Sequence, residues 1–206
     1  MEKNDMGNSI QQFGEIAAMD QNSVHTEEKD PLQAEYKQGK ALLERDETGP
    51  AAVALHNALV GFQEKNDEKG IANASNQLAL TCIKCHDYDN ALLHLERAEK
   101  ICDKLDDPMS LVALSKQFIV VYTATKQYKQ AIERCLGLLD YYKGNNDPKG
   151  SVEIIKRMAE VYQQSRDMDK AANAYETIAS IHRNYKHHNI AAEYQKKADE
   201  LKSNGC

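Results

Sequence analysis

The chain has 206 residues, of which 28% are charged and 6% aromatic, and its formal net charge is −6. Acidic and basic residues are mixed along the sequence, without the concentrated basic face of a nucleic-acid-binding protein, so we expect no nucleic-acid partner. No apolar run approaches the about 20 residues that a membrane-spanning helix needs. The first residues lack the basic and apolar regions of a signal peptide. These features predict a cytoplasmic protein, whose five cysteines are free thiols in a reducing compartment.

Residues 1–30 are polar and are predicted to form a flexible segment ahead of the ordered part of the chain. Within this segment Ile10, Phe13, Ile16 and Met19 recur every third residue. Two interpretations stay open. The segment is either a weakly ordered tail with a few apolar residues, or a short amphipathic helix that docks on the rest of the chain or mediates self-association.

From residue 31 onward the sequence repeats with a period of 40 residues. Small residues recur at this spacing at Ala51, Ala91, Ala131 and Ala171. The aspartates that begin successive units follow the same spacing, at Asp67, Asp107 and Asp147. A fixed period of this size is typical of a solenoid, in which each unit packs only against its neighbours.

Each repeat unit predicts a pair of helices, and the units span about 31–66, 67–106, 107–146 and 147–186. Helix starts are indicated where Asp precedes Pro, because Asp accepts hydrogen bonds from the first free amides and Pro suits the first helical position. The first helix is expected to be about one turn shorter than the others. A ninth, more polar helix at 188–203 is predicted to cap the exposed end of the core.

At these residues the chain resembles the tetratricopeptide repeat (TPR) family, in the 40-residue-period variant found in polarity adaptors and kinesin light chains. The hairpin at 76–98 carries the resemblance, with small residues at Ala79, Ala91 and Ala98 and bulky ones at Leu78, Cys82, Tyr88 and Leu95. The resemblance implies an all-α, right-handed superhelical solenoid of four helix hairpins plus a C-terminal capping helix. It also implies a non-enzymatic adaptor or scaffold that recognises other proteins.

In TPR proteins the first helix of each hairpin lines a concave groove that binds a peptide or a helix. The resemblance places the following residues in that groove: Tyr36, Lys40, Asn73, Asn76, Leu80, Ile83, Lys116, Val120, Thr123, Lys156, Arg157, Glu160 and Gln163. The apolar centre predicts a partner with an apolar anchor, and the basic residues predict acidic flanks on that partner. If the face is displaced by one residue, Leu80 and Val120 are core residues instead.

The segment Cys82-Ile83-Lys84-Cys85-His86 matches C-x-x-C-H, the pattern that attaches c-type haem. The pattern keeps register with the repeat, because Cys82 occupies the position of Tyr122 and Tyr162 in later units. A zinc site built on Cys82, Cys85 and His86 lacks a nearby fourth ligand. We therefore expect no cofactor and no metal, and keep a haem or redox protein as an alternative. No Ser-His-Asp order, phosphate loop or two-histidine spacing indicates an enzyme.

Overall fold

The computed structural model describes residues 30–204, and within this range it contains nine α-helices and no strand. The helices are α1 (Pro31–Glu44), α2 (Thr48–Glu64), α3 (Glu68–Lys84), α4 (Tyr88–Lys104), α5 (Pro108–Ala124), α6 (Tyr128–Gly144), α7 (Pro148–Gln164), α8 (Met168–Asn184) and α9 (His188–Asn204). The predicted all-α fold is confirmed. The apolar residues of the predicted N-terminal segment, Ile10, Phe13, Ile16 and Met19, lie outside the described residues, and so does the fifth cysteine, Cys206.

The helices follow one another as a repeat solenoid. Each helix packs against the helix before it and the helix after it, and α3 also touches α1 and α5. Helices α2 to α9 have 17 residues each, whereas α1 has 14, so the first helix is shorter by about one turn. No helix between residues 31 and 204 combines the length and the apolar character required to cross a membrane.

The turns between the helices share one backbone conformation. After α2, Asn66 adopts a positive φ of 54°. The backbone N–H of Asn66 donates to the carbonyl of Gln63, and that of Asp67 donates to the carbonyl of Phe62. This is the Schellman arrangement, which satisfies the free carbonyls at a helix C-terminus. Positive φ recurs every 20 residues, at Asp46, Asn66, His86, Asp106, Lys126, Asn146, Arg166 and Lys186.

The residue that completes each turn also begins the next helix. The side chain of Asp67 accepts a hydrogen bond from the Gly70 N–H at 3.0 Å, and Asp147 does the same for Gly150 at 2.9 Å. Asp87, Asp107 and Asp167 cap their helices in the same way. The predicted helix starts at Asp67, Asp107 and Asp147 are therefore confirmed, and Pro108 and Pro148 occupy the first position of their helices.

Helix α6 lacks this cap, because the equivalent residue is Gln127, whose side chain makes no capping hydrogen bond. Its backbone angles, φ −82° and ψ 58°, are close to those of Asp87 at −88° and 75°. We expect Gln127→Asp to raise the free energy of unfolding by about 1 kcal/mol and the Tm by about 2–4 °C. Asp87→Gln should produce a loss of similar size. Thermal melts followed by circular dichroism will measure both, and an unchanged Tm for Gln127→Asp would contradict the prediction.

The core runs along the solenoid as three apolar clusters. The first lies between α1, α2 and α3, the second is built around α3, α4 and α5, and the third extends from α5 to α9. Ala51, Ala91, Ala131 and Ala171, the small residues that revealed the period, are fully buried. A small side chain at these positions lets the two helices of a hairpin approach closely, which explains why the alanines recur.

Candidate protein-binding surface

Residues from three repeats meet at a small hollow on the first helices of the hairpins, α3, α5 and α7. The hollow has a volume of about 200 Å³. It is lined by Leu80, Ile83, Lys116, Gln117, Ile119, Val120, Glu153, Ile154 and Arg157. Five of these residues, Leu80, Ile83, Lys116, Val120 and Arg157, belong to the predicted groove.

The hollow has an apolar centre that is open to solvent. Val120, in the last third of α5, is 40% exposed. Leu80 and Ile83 are half-buried, and each also packs against a core cluster, Leu80 against the first and Ile83 against the second. Val120 is therefore a surface residue, while Leu80 and Ile83 contribute to both the surface and the core.

Two of the four predicted basic residues, Lys116 and Arg157, are already paired with carboxylates. Lys116 Nζ lies 2.9 Å from Glu153 Oε1 and 5.8 Å from the centre of the Tyr142 ring. The hydrogen bond to Glu153 raises the pKa of Lys116 above its ordinary value. Arg157 pairs with Glu160 at 2.9 Å on the same helix. The charges around the hollow are consequently balanced, and an acidic partner would have to compete with Glu153 and Glu160.

A second hollow, of about 270 Å³, continues this surface toward the ends of α5 and α7. It is lined by Val120, Thr123, Ala124, Arg157, Glu160, Val161 and Gln164. Gln164 lines it, and the predicted Gln163 does not, because Gln163 instead accepts a hydrogen bond from the Tyr175 hydroxyl at 3.3 Å. Lys156 is exposed but lines neither hollow.

The remaining predicted residues, Tyr36, Lys40, Asn73 and Asn76, line neither hollow. On α1, Tyr36 packs edge-on against Phe62, with 6.3 Å between ring centres, and Lys40 lies over the Tyr36 ring. On α3, Asn73 is exposed. Asn76 Oδ1 accepts a hydrogen bond from Gln117 Nε2 at 2.6 Å and so ties α3 to α5 beside the first hollow.

Sequence reasoning missed Gln117 as a member of this surface. Gln117 lies 41 positions after its partner Asn76, one residue beyond the repeat period, so the period alone does not bring the two together. The buried Gln117 Oε1 has no hydrogen-bond partner in the part of the chain that the structure describes.

The C-x-x-C-H residues lie at the C-terminal end of α3 and in the turn that follows it. Cys82 is half-buried, and burial raises the pKa of its thiol, which disfavours the reactive thiolate. Cys85 and His86 are exposed, and His86 Nδ1 lies 2.9 Å from the Tyr88 hydroxyl. Within residues 30–204, no three His, Cys, Asp or Glu side chains converge to hold a metal ion.

The arrangement of the helices resembles that of solved repeat proteins. A candidate kinesin light chain from Podosopora anserina with nearly identical TPR-like repeats is similar over 84% of this chain and 96% of its own, with a TM-score of 0.63 and 13% identity. A single-residue variant of those repeats gives a TM-score of 0.65 at 14% identity, over 85% and 92% of the two chains.

A double mutant of MamA RS-1 gives a TM-score of 0.55 at 17% identity, over 85% of this chain and 96% of its own. The chain has a TPR-like repeat fold. No protein-family model and no curated protein matches the sequence significantly. At 13–17% identity, the likeness to these solved structures is one of helix arrangement.

Proposed function

We propose that this TPR-like protein is an interaction module that binds another protein, an amphipathic helix or a peptide, on the surface formed by α3, α5 and α7. The observation that carries this proposal is Val120, a large apolar side chain that is 40% exposed beside the half-buried Leu80 and Ile83. Apolar side chains that are contiguous and open to solvent can mark an interaction site.

The size and the chemistry of the hollow define what the partner must offer. A volume of about 200 Å³ suits one or two bulky apolar side chains, which can act as an anchor when a helix presents them at i and i+3 or i+4. The two ion pairs at the rim hold Lys116 and Arg157 in place. Lys156 forms no ion pair with any described residue, unlike Lys116 and Arg157. An acidic group on the partner would therefore pair with Lys156 without first breaking an ion pair within this chain.

Val120→Glu should abolish partner binding without unfolding the protein. A carboxylate at this position would lose its hydration when a partner covers it, and we expect affinity to fall by at least about 100-fold. The Tm should change by less than about 2 °C, because Val120 is exposed and surface substitutions have small effects. Val60→Glu is the matched control, because Val60 is also 40% exposed but lies on α2.

The test is a pull-down from native cell extract with wild type, Val120→Glu and Val60→Glu, read by mass spectrometry and followed by titration of the retained protein. A partner that wild type and Val60→Glu retain and that folded Val120→Glu loses would support the proposal. If the retained protein is this chain itself, the surface mediates self-association. Equal retention by all three proteins would overturn the assignment of the site.

A further inference from the structure

A larger cleft lies between α6 and α8, with α7 as its floor, and it uses a different side of α7. Residues 151, 155, 158 and 162 line this α6–α8 cleft, whereas 153, 154, 157, 160, 161 and 164 line the hollows described above. The two sets share no residue, and with 3.6 residues per turn they are centred on different sides of the helix. The cleft has a volume of about 660 Å³, within the range of small-molecule sites.

The preceding repeat shows why the cleft is open. There, Arg134 of α6 stacks on the Phe118 ring at 4.1 Å and forms a two-pronged ion pair with Glu99 of α4, with Nη2 3.0 Å from Oε2. This ion pair spans the gap between α4 and α6 and leaves two smaller hollows of about 380 and 480 Å³.

One repeat later, two uncharged residues replace the ion pair, and a methionine replaces the aromatic ring. At a spacing of 40 residues, Leu139 takes the position of Glu99, Ala174 that of Arg134, and Met158 that of Phe118. Leu139 and Ala174 cannot form such an ion pair, and together with Ile155, Met158 and Ile181 they form an apolar floor. Met158 is flexible enough to fit ligands of different shapes.

The mouth of the cleft is also less acidic than the corresponding region of the preceding repeat. Asp103 and Glu133 border the hollows of the preceding repeat, and their counterparts at the α6–α8 cleft are Lys143 and Asn173. Lys143 is exposed and forms no ion pair with any residue that the structure describes. The other lysine at the mouth, Lys170, pairs with Asp167 at 2.6 Å, and Asp147 is engaged in capping α7. Lys143 is therefore the cation that remains for a ligand.

We propose that the α6–α8 cleft binds a small amphipathic organic anion, with its apolar body on the floor and its acid group at Lys143. The proposal is independent of the protein-binding surface, because the two sites share no lining residue. An acyl chain or an aromatic ring that carries one carboxylate or sulfonate has the required chemistry.

The experiment uses the fluorescent probe 1-anilinonaphthalene-8-sulfonate, which combines aromatic rings with one sulfonate. The full chain contains no Trp, so Thr177→Trp, at an exposed position beside the cleft, introduces a single reporter. We expect bound probe to quench this Trp strongly by energy transfer. Val53→Trp, exposed on the distant α2, should be quenched much less. Equal quenching of the two Trp residues would overturn the assignment of the site.

Two sets of variants test the floor and the mouth. The double variant Leu139→Glu/Ala174→Arg rebuilds the ion pair of the preceding repeat and should weaken probe binding at least about tenfold, whereas Val120→Glu should leave it within about twofold. Lys143→Gln should weaken it about threefold to fivefold. Circular dichroism checks folding, and the Trp comparison decides the site even if the double variant does not fold.

Competition then tests the charge of the ligand. Decanoate should displace the probe from wild type at lower concentration than decanol does, and this difference should disappear in Lys143→Gln. Displacement at equal concentrations in wild type would refute the anionic part of the proposal. Binding that survives in the folded double variant would refute the site itself.

Discussion

Phe118→Ala is expected to lower the free energy of unfolding by about 3–5 kcal/mol, the largest effect of any single truncation proposed for this chain. The Phe118 ring is fully buried in the second core cluster. It stacks on Tyr122, with 5.7 Å between ring centres, and supports the guanidinium of Arg134 at 4.1 Å. Truncation would remove these contacts and leave a cavity between α4, α5 and α6.

Urea denaturation followed by circular dichroism will measure this loss. Val120→Ala is the matched control, because Val120 lies two residues away on the same helix but is 40% exposed, and it should change the free energy by less than about 0.5 kcal/mol. Since a solenoid is held together by contacts between neighbouring repeats, hydrogen exchange should accelerate most in α4 to α6. A loss below about 1 kcal/mol would show that the surrounding helices can close over the missing ring.

Alkaline destabilisation through Cys135 is the second large effect. The side chain is fully buried in the third core cluster, and burial raises the pKa of the thiol to about 12, with a smaller opposing effect from Arg157. The ordinary value is 9.0. Because the folded state holds the neutral thiol, its contribution to stability is complete below pH 9 and is lost as the pH rises toward 12. At about 1.4 kcal/mol per pH unit, the total loss is about 4 kcal/mol.

The measurement compares wild type with Cys135→Ala at pH 8.5 and pH 10.5. Wild type should lose about 2 kcal/mol more than the variant between these two values, since only wild type carries the buried thiol. Burial also raises the pKa of Tyr36 and Tyr175, but both proteins contain these groups and their effects cancel in the comparison. Identical losses in the two proteins would mean that Cys135 does not titrate with unfolding.

The repeat made the fold predictable from the sequence. Ala51, Ala91, Ala131 and Ala171 are spaced by one period and are all fully buried, so their spacing reported a real packing requirement. The aspartates at Asp67, Asp107 and Asp147 marked helix starts because capping depends on local chemistry, which a sequence displays directly. The ends of the helices could also be predicted from the sequence, because the turns between them all have the same length.

The binding surfaces were less predictable, because they depend on where the repeat is broken. Gln163 and Gln164 are neighbours in sequence, and only packing against Tyr175 decides which of them faces the second hollow. The α6–α8 cleft exists because Leu139 and Ala174 replace a charged pair that lies on two different helices one repeat earlier. A search for residues that recur at the repeat period detects neither the choice between Gln163 and Gln164 nor the cleft, because both depend on positions where the repeated pattern changes.

The turns described above also bear on how such a chain can grow. Each turn closes with the same backbone geometry, and positive φ falls at intervals of 20 residues without using a glycine. A duplication or deletion of 40 residues that begins at any of these turns would therefore join two compatible ends and preserve the order of the helix pairs. Duplication of the DNA that encodes one hairpin could lengthen this protein without a new type of turn. Substitutions such as those at Leu139 and Ala174 could then let each copy bind its own ligand.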